Sequence, residues 1–142
     1  MEELTTLRQF IEQGKYNDAL LVIDELEEMS KEDKLNKIYS YAEILLNHLI
    51  KKQALGKTTR SWEVSIAHAL KRIQRTNRRR KAGGVYAQAH ELAEILADAF
   101  DLAVQRAALE LRKGKLTEQE VRGLINQEAM LQEALRLIND LG

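Results

Sequence analysis

The chain contains no proline, and five of its seven glycines separate long segments of the sequence. Gly14, Gly56, Gly83-Gly84 and Gly114 delimit those segments. Alanine, leucine, glutamate, lysine, glutamine and arginine dominate them, and these residues have the highest intrinsic helix propensities. Segments that alternate apolar and polar residues with the two-residue period of a strand are missing. The sequence therefore predicts an all-α protein.

Apolar residues spaced three and four apart predict about six helices joined by short turns, which is typical of an antiparallel helical bundle. Ser30-x-x-Asp33 resembles the start of the third helix, and the capping box Thr117-x-x-Glu120 marks the start of the last. The predicted helices cover residues 3–13, 16–29, 31–54, 60 or 61 to the Gly83-Gly84 break, 85–112 and 118–141. We expect a single domain over residues 1–142.

Composition limits the classes of protein to consider. There is no cysteine, which excludes disulfides, zinc thiolate sites and thiol catalysis. The opening Met1-Glu-Glu-Leu lacks the basic and apolar regions of a signal peptide. The longest uncharged apolar stretch, Ile44–Ile50, is far shorter than the roughly 20 residues that cross a bilayer. We therefore expect a cytoplasmic protein with no membrane partner.

Charge is sorted along the chain although the net charge is zero. Residues 1–34 carry four Lys or Arg and ten Asp or Glu, a net charge of −6. Residues 35–81 carry twelve and two, a net charge of +10, and residues 82–142 carry six and ten, a net charge of −4. Overall neutrality argues against a dedicated nucleic-acid-binding domain, whose pI usually exceeds about 9.

The segment 71–81 holds most of the positive charge, with seven basic residues among eleven. On the predicted fourth helix these residues form a stripe opposite Ile66, Leu70 and Ile73. The candidate partner-binding residues are His68, Lys71, Arg72, Arg75, Arg78, Arg79 and Arg80. Three interpretations stay open: a stripe that is solvated or paired internally, a docking surface for a protein, and contacts to a nucleic-acid backbone.

Internal pairing has two candidate sets of acidic residues. One is the acidic face Asp24-Glu25-x-Glu27-Glu28, and the other comprises Glu91, Glu94 and Asp98. Exposed pairs of this kind contribute only about 0–1 kcal/mol each. Against nucleic acid, segment 71–81 has no aromatic side chain on which a base could stack.

No pattern of catalytic or metal-ligating residues is present. His48, His68 and His90 have no histidine three or four residues away, so no helix presents a pair of imidazole ligands. Gly83-Gly84 is not followed by the Lys-Ser/Thr of a phosphate-binding loop, and no nucleophile elbow occurs. We predict no catalytic residue, no metal site and no cofactor. An enzyme would require a buried His48 facing a carboxylate in a pocket.

The string Thr58-Thr-Arg-Ser-Trp62 contains the only tryptophan of the chain. Structurally, Thr59 or Ser61 would cap the fourth helix, Trp62 would fill the core below the preceding linker, and Arg60 would brace against an acidic neighbour. Functionally, Arg and Trp are frequent interface hot spots. The structural interpretation is the stronger one.

Three strings resemble, in order and spacing, a bacterial family common in cyanobacteria, the domain-of-unknown-function family numbered twenty-nine. They are Ile23-Asp-Glu-Leu-Glu-Glu-Met29, Leu45-Leu-Asn-His-Leu-Ile-Lys51 and Arg60-Ser-Trp-Glu-Val-Ser-Ile66. The resemblance covers roughly residues 20–105. It implies an all-helical bacterial cytoplasmic protein without established activity. If the shared strings mark a site, its residues would be His48, Arg60, Ser61 and Trp62.

The function expected from these features is that of a non-catalytic interaction or adaptor protein. It would dock a protein partner through the basic face of the predicted fourth helix. The alternative is a nucleic-acid-associated protein that uses segment 71–81. Homo-oligomerisation would use the C-terminal helix, whose apolar stripe comprises Val121, Leu124, Leu131, Leu135 and Ile138.

Overall fold

The computed structural model describes residues 2–79 and 83–140. These residues form six α-helices and contain no strand, so the predicted all-α class is confirmed. The helices are α1 Glu2–Glu12, α2 Tyr16–Leu55, α3 Arg60–Asn77, α4 Ala89–Glu110, α5 Glu118–Gly123 and α6 Gln127–Asp140, with a short 3-10 turn at Leu111–Gly114. No helix in the described part of the chain is long and apolar enough to cross a membrane.

The chain divides into two compact units, residues 1–34 and 35–142. The first unit contains α1 and the beginning of α2, joined by the predicted turn at Gly14. Gly14 has a φ of 71°, and its N–H donates to the carbonyl of Ile11 at 3.1 Å. The N–H of Lys15 donates to the carbonyl of Phe10 at 2.8 Å, which completes a Schellman motif.

The predicted boundary between the second and third helices is wrong. Residues 16–55 form one helix of 40 residues, and Ser30 lies exposed within it rather than capping a new helix. Good helix formers flank Ser30 on both sides, and no glycine or proline interrupts the segment. A serine at the helix surface lowers helix stability only slightly. This small loss does not end a helix whose later residues are stabilised by tertiary packing.

The predicted end of the fourth helix at Gly83-Gly84 is also wrong. α3 ends at Asn77, whose buried side chain donates from Nδ2 to the carbonyl of Ala87 at 3.0 Å and accepts from the Ala87 N–H at 2.8 Å. The N–H of Tyr86 donates to the carbonyl of Asn77 at 2.9 Å. These bonds hold the returning chain against the helix end. As a result α4 begins at Ala89 instead of residue 85, with a capping box formed by Gln88 and Glu91.

The start of the last helical segment is confirmed, but this segment consists of two helices. Thr117 accepts from the N–H of Glu120 at 3.1 Å, and the Glu120 carboxylate accepts from the N–H of Thr117 at 3.2 Å. α5 ends at Gly123, and Asn126 caps α6 by accepting from the N–H of Ala129 at 3.0 Å. One predicted pair of helices is thus merged and one predicted helix is divided, which leaves the total at six.

The core of the second unit lies around α4, which contacts α5 and α6. Alanines at positions 99, 103 and 107 are fully buried, so neighbouring helices can approach α4 closely. Large side chains from α2, α3 and α4 fill the space between helices, and those with no exposed surface include Leu45, Leu46, Ile50, Ile73, Phe100 and Val104. The second unit is therefore a helical bundle with one hydrophobic core.

Candidate functional site: a basic face on α3

The two sides of α3 differ sharply in burial and charge. Ile66, Ala69, Leu70, Ile73 and Asn77 are buried, and their spacing of three and four residues keeps them on one side of the helix. The opposite side is exposed to solvent and carries the basic residues. Burying the apolar side therefore fixes the direction in which the cations project.

The cations of α3 surround a concavity of about 460 Å³. Its lining consists of His68, Lys71, Arg72, Gln74, Arg75 and Arg78. We call the five basic residues of this lining, namely His68, Lys71, Arg72, Arg75 and Arg78, the basic face. The first four lie on α3, whereas Arg78 reaches the same concavity from the extended residue that follows the helix.

The basic face lacks carboxylate partners among the described residues of the second unit. Within the described residues 35–79 and 83–140, no acidic side chain lies within ion-pairing distance of Lys71, Arg72, Arg75 or Arg78. His68 Nε2 accepts a long hydrogen bond of 3.5 Å from Arg72 Nε. Four positive charges therefore converge on one concave surface without neutralisation from this part of the chain.

The prediction that all of segment 71–81 forms one helical stripe is wrong at Arg78 and Arg79. Arg79 has left the helix: its N–H donates to the carbonyl of Gly84 at 3.0 Å, and its guanidinium lies over the Tyr86 ring at 5.7 Å. Arg80 and Lys81 lie outside the described residues. The candidate set thus separates into the basic face and an arginine that stacks on a tyrosine.

A second group of polar residues lies where α2, α3 and the end of α4 meet. Lys51 Nζ pairs with Glu110 Oε2 at 2.7 Å, and Asn47 Nδ2 donates to the same oxygen at 3.0 Å. Lys51 and Asn47 are only 6% and 4% exposed. Lys51 Nζ also lies 5.0 Å from the centre of the Trp62 ring. We call Asn47, His48, Lys51 and Glu110 the polar cluster.

Within the polar cluster, the titration of both ionisable partners of Lys51 is shifted. Burial lowers the pKa of His48, the charge of Lys51 lowers it further, and the charge of Glu110 opposes both effects. Burial by itself would raise the pKa of Glu110, but hydrogen bonds from Lys51 and Asn47 lower it overall. His48 Nδ1 and Asn47 Oδ1 are buried and have no hydrogen-bond partner among the residues that the structure describes. The lowered pKa of His48 therefore favours a neutral imidazole beside an ion pair in which the lysine is buried and the glutamate is partly exposed.

Of the predicted motif residues, Arg60 and Ser61 do not join this cluster. Arg60 and Ser61 are exposed in the first turn of α3, and among the described residues they make no side-chain hydrogen bond or ion pair. Thr59, not Ser61, caps α3 by accepting from the N–H of Trp62 at 3.1 Å. The acidic neighbour expected for Arg60 is not found among the described residues; Glu63, three residues further along, pairs with Lys52 at 2.7 Å.

The sequence did not point to Asn47, Lys51 or Glu110 as members of one group. Asn47 and Lys51 are four residues apart on α2, a spacing that places them on one side of a helix. That spacing was the available signal, but Glu110 lies 59 residues beyond Lys51 and shares no local pattern with it. No group of three or more His, Cys, Asp or Glu that could hold a metal ion occurs in residues 2–79 and 83–140.

A model of the family described as domain of unknown function DUF29 matches residues 3–134. The chain belongs to this family. The match includes α1 and most of α6, so the DUF29 region is longer at both ends than the predicted residues 20–105. No curated protein and no solved structure matches the chain.

Two of the strings that resemble DUF29 meet in the structure. The string 45–51 contributes Asn47, His48 and Lys51 from α2, and the string 60–66 contributes Trp62 from α3. Lys51 connects them, because its ammonium group lies over the Trp62 ring and pairs with Glu110. These side chains are half-buried or buried, apart from the partly exposed Glu110. In this DUF29 domain the shared strings therefore support the bundle, whereas the basic face is turned to solvent.

Proposed function

We propose that this DUF29 domain is a non-catalytic interaction domain that binds an acidic segment of a protein partner through the basic face. The observation that carries the proposal is the concavity lined by four cations that lack carboxylate partners within residues 35–79 and 83–140. A surface of one charge sign steers an oppositely charged partner and suppresses partners of the same sign.

The shape of the surface supports a peptide-like ligand. A concavity of about 460 Å³ accommodates a few side chains. Lys71 and Arg72 on α3 lie four and three residues before Arg75, and Arg78 follows the helix end. An acidic helix or extended segment can place successive carboxylates opposite them. Arginine adds directional preference, because its planar guanidinium binds a carboxylate through two parallel hydrogen bonds.

Nucleic acid is the second candidate, because phosphates would satisfy the same cations. The surroundings favour it less. Tyr86 donates from its N–H to the carbonyl of Asn77 at the end of α3, and Arg79 already covers its ring at 5.7 Å. A base would therefore have to displace an arginine before it could stack.

The direct test is a titration of a fluorescent glutamate-rich peptide with three proteins. Besides wild type, we would use Lys71→Glu/Arg75→Glu and a control of equal charge change, Lys57→Glu/Lys115→Glu. Lys57 and Lys115 are exposed and lie outside the basic face. We expect the first variant to bind about tenfold more weakly or worse, and the control to bind like wild type.

The same titration with a mixed-sequence duplex distinguishes the second candidate. Tight duplex binding at about 50 mM salt, with a steep loss as salt increases, would support nucleic acid. Equal loss of peptide binding in the two charge-reversal variants would refute the proposal, because affinity would then depend on net charge and not on the basic face.

A further inference from the structure

The first unit exposes an unusual amount of apolar surface. Its exposed large hydrophobic side chains range from 48% to 64% in relative exposure and comprise Leu4, Ile11, Tyr16, Leu20, Leu21 and Met29. Ala19 is the buried residue among the described residues 2–34. Clusters of exposed apolar side chains bordered by charge mark interaction sites on soluble proteins. The first unit therefore presents an uncovered surface.

One side of α2 in this unit combines apolar and acidic residues. Leu21, Glu25, Glu28 and Glu32 follow one another at separations of four, three and four residues, so they lie on one helical stripe. All four side chains are exposed, and the stripe is apolar at its beginning and acidic afterwards. We call it the acidic stripe. It belongs to a segment whose net charge is −6.

α3 carries a stripe with the same spacing and the opposite charge, and three of its four residues belong to the basic face. Val64, His68, Lys71 and Arg75 also follow at separations of four, three and four residues. Val64 is 61% exposed, so this stripe too begins with an uncovered apolar side chain and continues with basic ones. A parallel alignment of the two stripes places Leu21 opposite Val64, Glu28 opposite Lys71 and Glu32 opposite Arg75.

We propose that the partner of the basic face is a second copy of this chain, which docks its acidic stripe parallel to α3. The inference rests on the proposed function, because it assigns the ligand of the same face. Charge complementarity selects this occupant: two acidic units would repel each other, whereas each copy carries both an acidic and a basic stripe. A net charge of zero allows copies to approach closely without long-range repulsion.

Complementary charge reversals test the inference. In Glu25→Lys/Glu28→Lys the two stripes are both basic, and in Lys71→Glu/Arg75→Glu both are acidic, so neither variant should associate alone. In an equal mixture, each variant offers the stripe that the other lacks. By sedimentation velocity at about 50 mM salt, we expect association of wild type, monomers for each variant, and association of the mixture.

Two controls complete the design. Lys57→Glu/Lys115→Glu should associate like wild type, and salt of about 500 mM should dissociate both wild type and the mixture. Circular dichroism would verify that every variant is helical. A wild type that stays monomeric at about 100 µM, or a mixture that fails to associate, would overturn the inference.

The glutamate-rich peptide separates this inference from the proposed function. If the peptide binds the basic face while wild type stays monomeric, the second copy is the wrong partner and the proposed function stands. If the peptide does not bind and wild type stays monomeric, both fail. If wild type and the mixture associate as expected, the peptide should compete and shift the sedimentation profile towards monomer.

Discussion

The ion pair between the buried Lys51 and the partly exposed Glu110 leads to a quantitative prediction about stability. Lys51 is 6% exposed, and its ammonium group pairs with Glu110 at 2.7 Å. Glu110→Ala leaves that ammonium buried beside the Trp62 ring without a carboxylate. Breaking a fully buried pair from one side costs about 3–5 kcal/mol.

Solvent reduces this cost, because the Glu110 side chain is 43% exposed. We therefore expect Glu110→Ala to lower the free energy of unfolding by about half of that cost, roughly 2 kcal/mol. For a chain of this length, 1 kcal/mol corresponds to roughly 3–4 °C in the melting temperature, so the midpoint should fall by about 6–8 °C. Urea unfolding followed by circular dichroism gives the first quantity, and a thermal scan gives the second.

A control and a rescue variant make the Glu110 test specific. Glu94→Ala removes an exposed carboxylate from the same helix and should leave the unfolding midpoint nearly unchanged. Lys51→Met in the Glu110→Ala background removes the unpaired charge and should recover most of the loss. The reasoning fails if Glu110→Ala costs no more than Glu94→Ala, since Lys51 would then be solvated well enough without its partner.

Two further predictions concern His48 and Asn77. Burial lowers the pKa of His48 from its usual 6.5, so the unfolded chain binds the proton first as pH falls. The stability that neutral His48 supports is therefore complete above pH 6.5 and decreases below it. When the pH is lowered from about 7.5 to 5.5, the free energy of unfolding should fall more for wild type than for His48→Gln. Asn77→Ala removes both side-chain hydrogen bonds to Ala87 and should cost about 1–3 kcal/mol, with faster hydrogen exchange at the Ala87 amide. An equal pH dependence in His48→Gln, or unchanged exchange at Ala87, would contradict the respective prediction.

The sequence predicts the helical class because the evidence for it is local. Residue type and a three-to-four spacing of apolar residues are readable in windows of about ten to twenty residues. The start at Thr117 and the turn at Gly14 were predicted for the same reason, since capping residues and glycines act within one turn. The predicted oligomerisation through the C-terminal helix stays a prediction; Val121 and Ile138 of its apolar stripe are buried in the core of the second unit.

The wrong boundaries and the unpredicted cluster have a common cause in long-range contacts. α3 ends at Asn77 because the side-chain amide of Asn77 binds the backbone of Ala87. This contact forms only when the segment after α3 folds back to the end of the helix. Ser30 is a residue type that often caps helices, yet α2 continues through it. Glu110 pairs with Lys51 only because α4 packs against α2, and no local sequence pattern predicts such a pair. By contrast, the basic face was predictable, since burying one side of an amphipathic helix exposes the other.

The most direct test of the central claim is affinity purification of tagged protein from its host lysate, with and without nuclease. The comparison would include wild type, Lys71→Glu/Arg75→Glu and Lys57→Glu/Lys115→Glu. If the basic face binds a protein, wild type and the second variant retain the same protein after nuclease treatment, and the first variant loses it. A partner that the Lys71→Glu/Arg75→Glu variant retains, or that nuclease removes from wild type, would contradict the account.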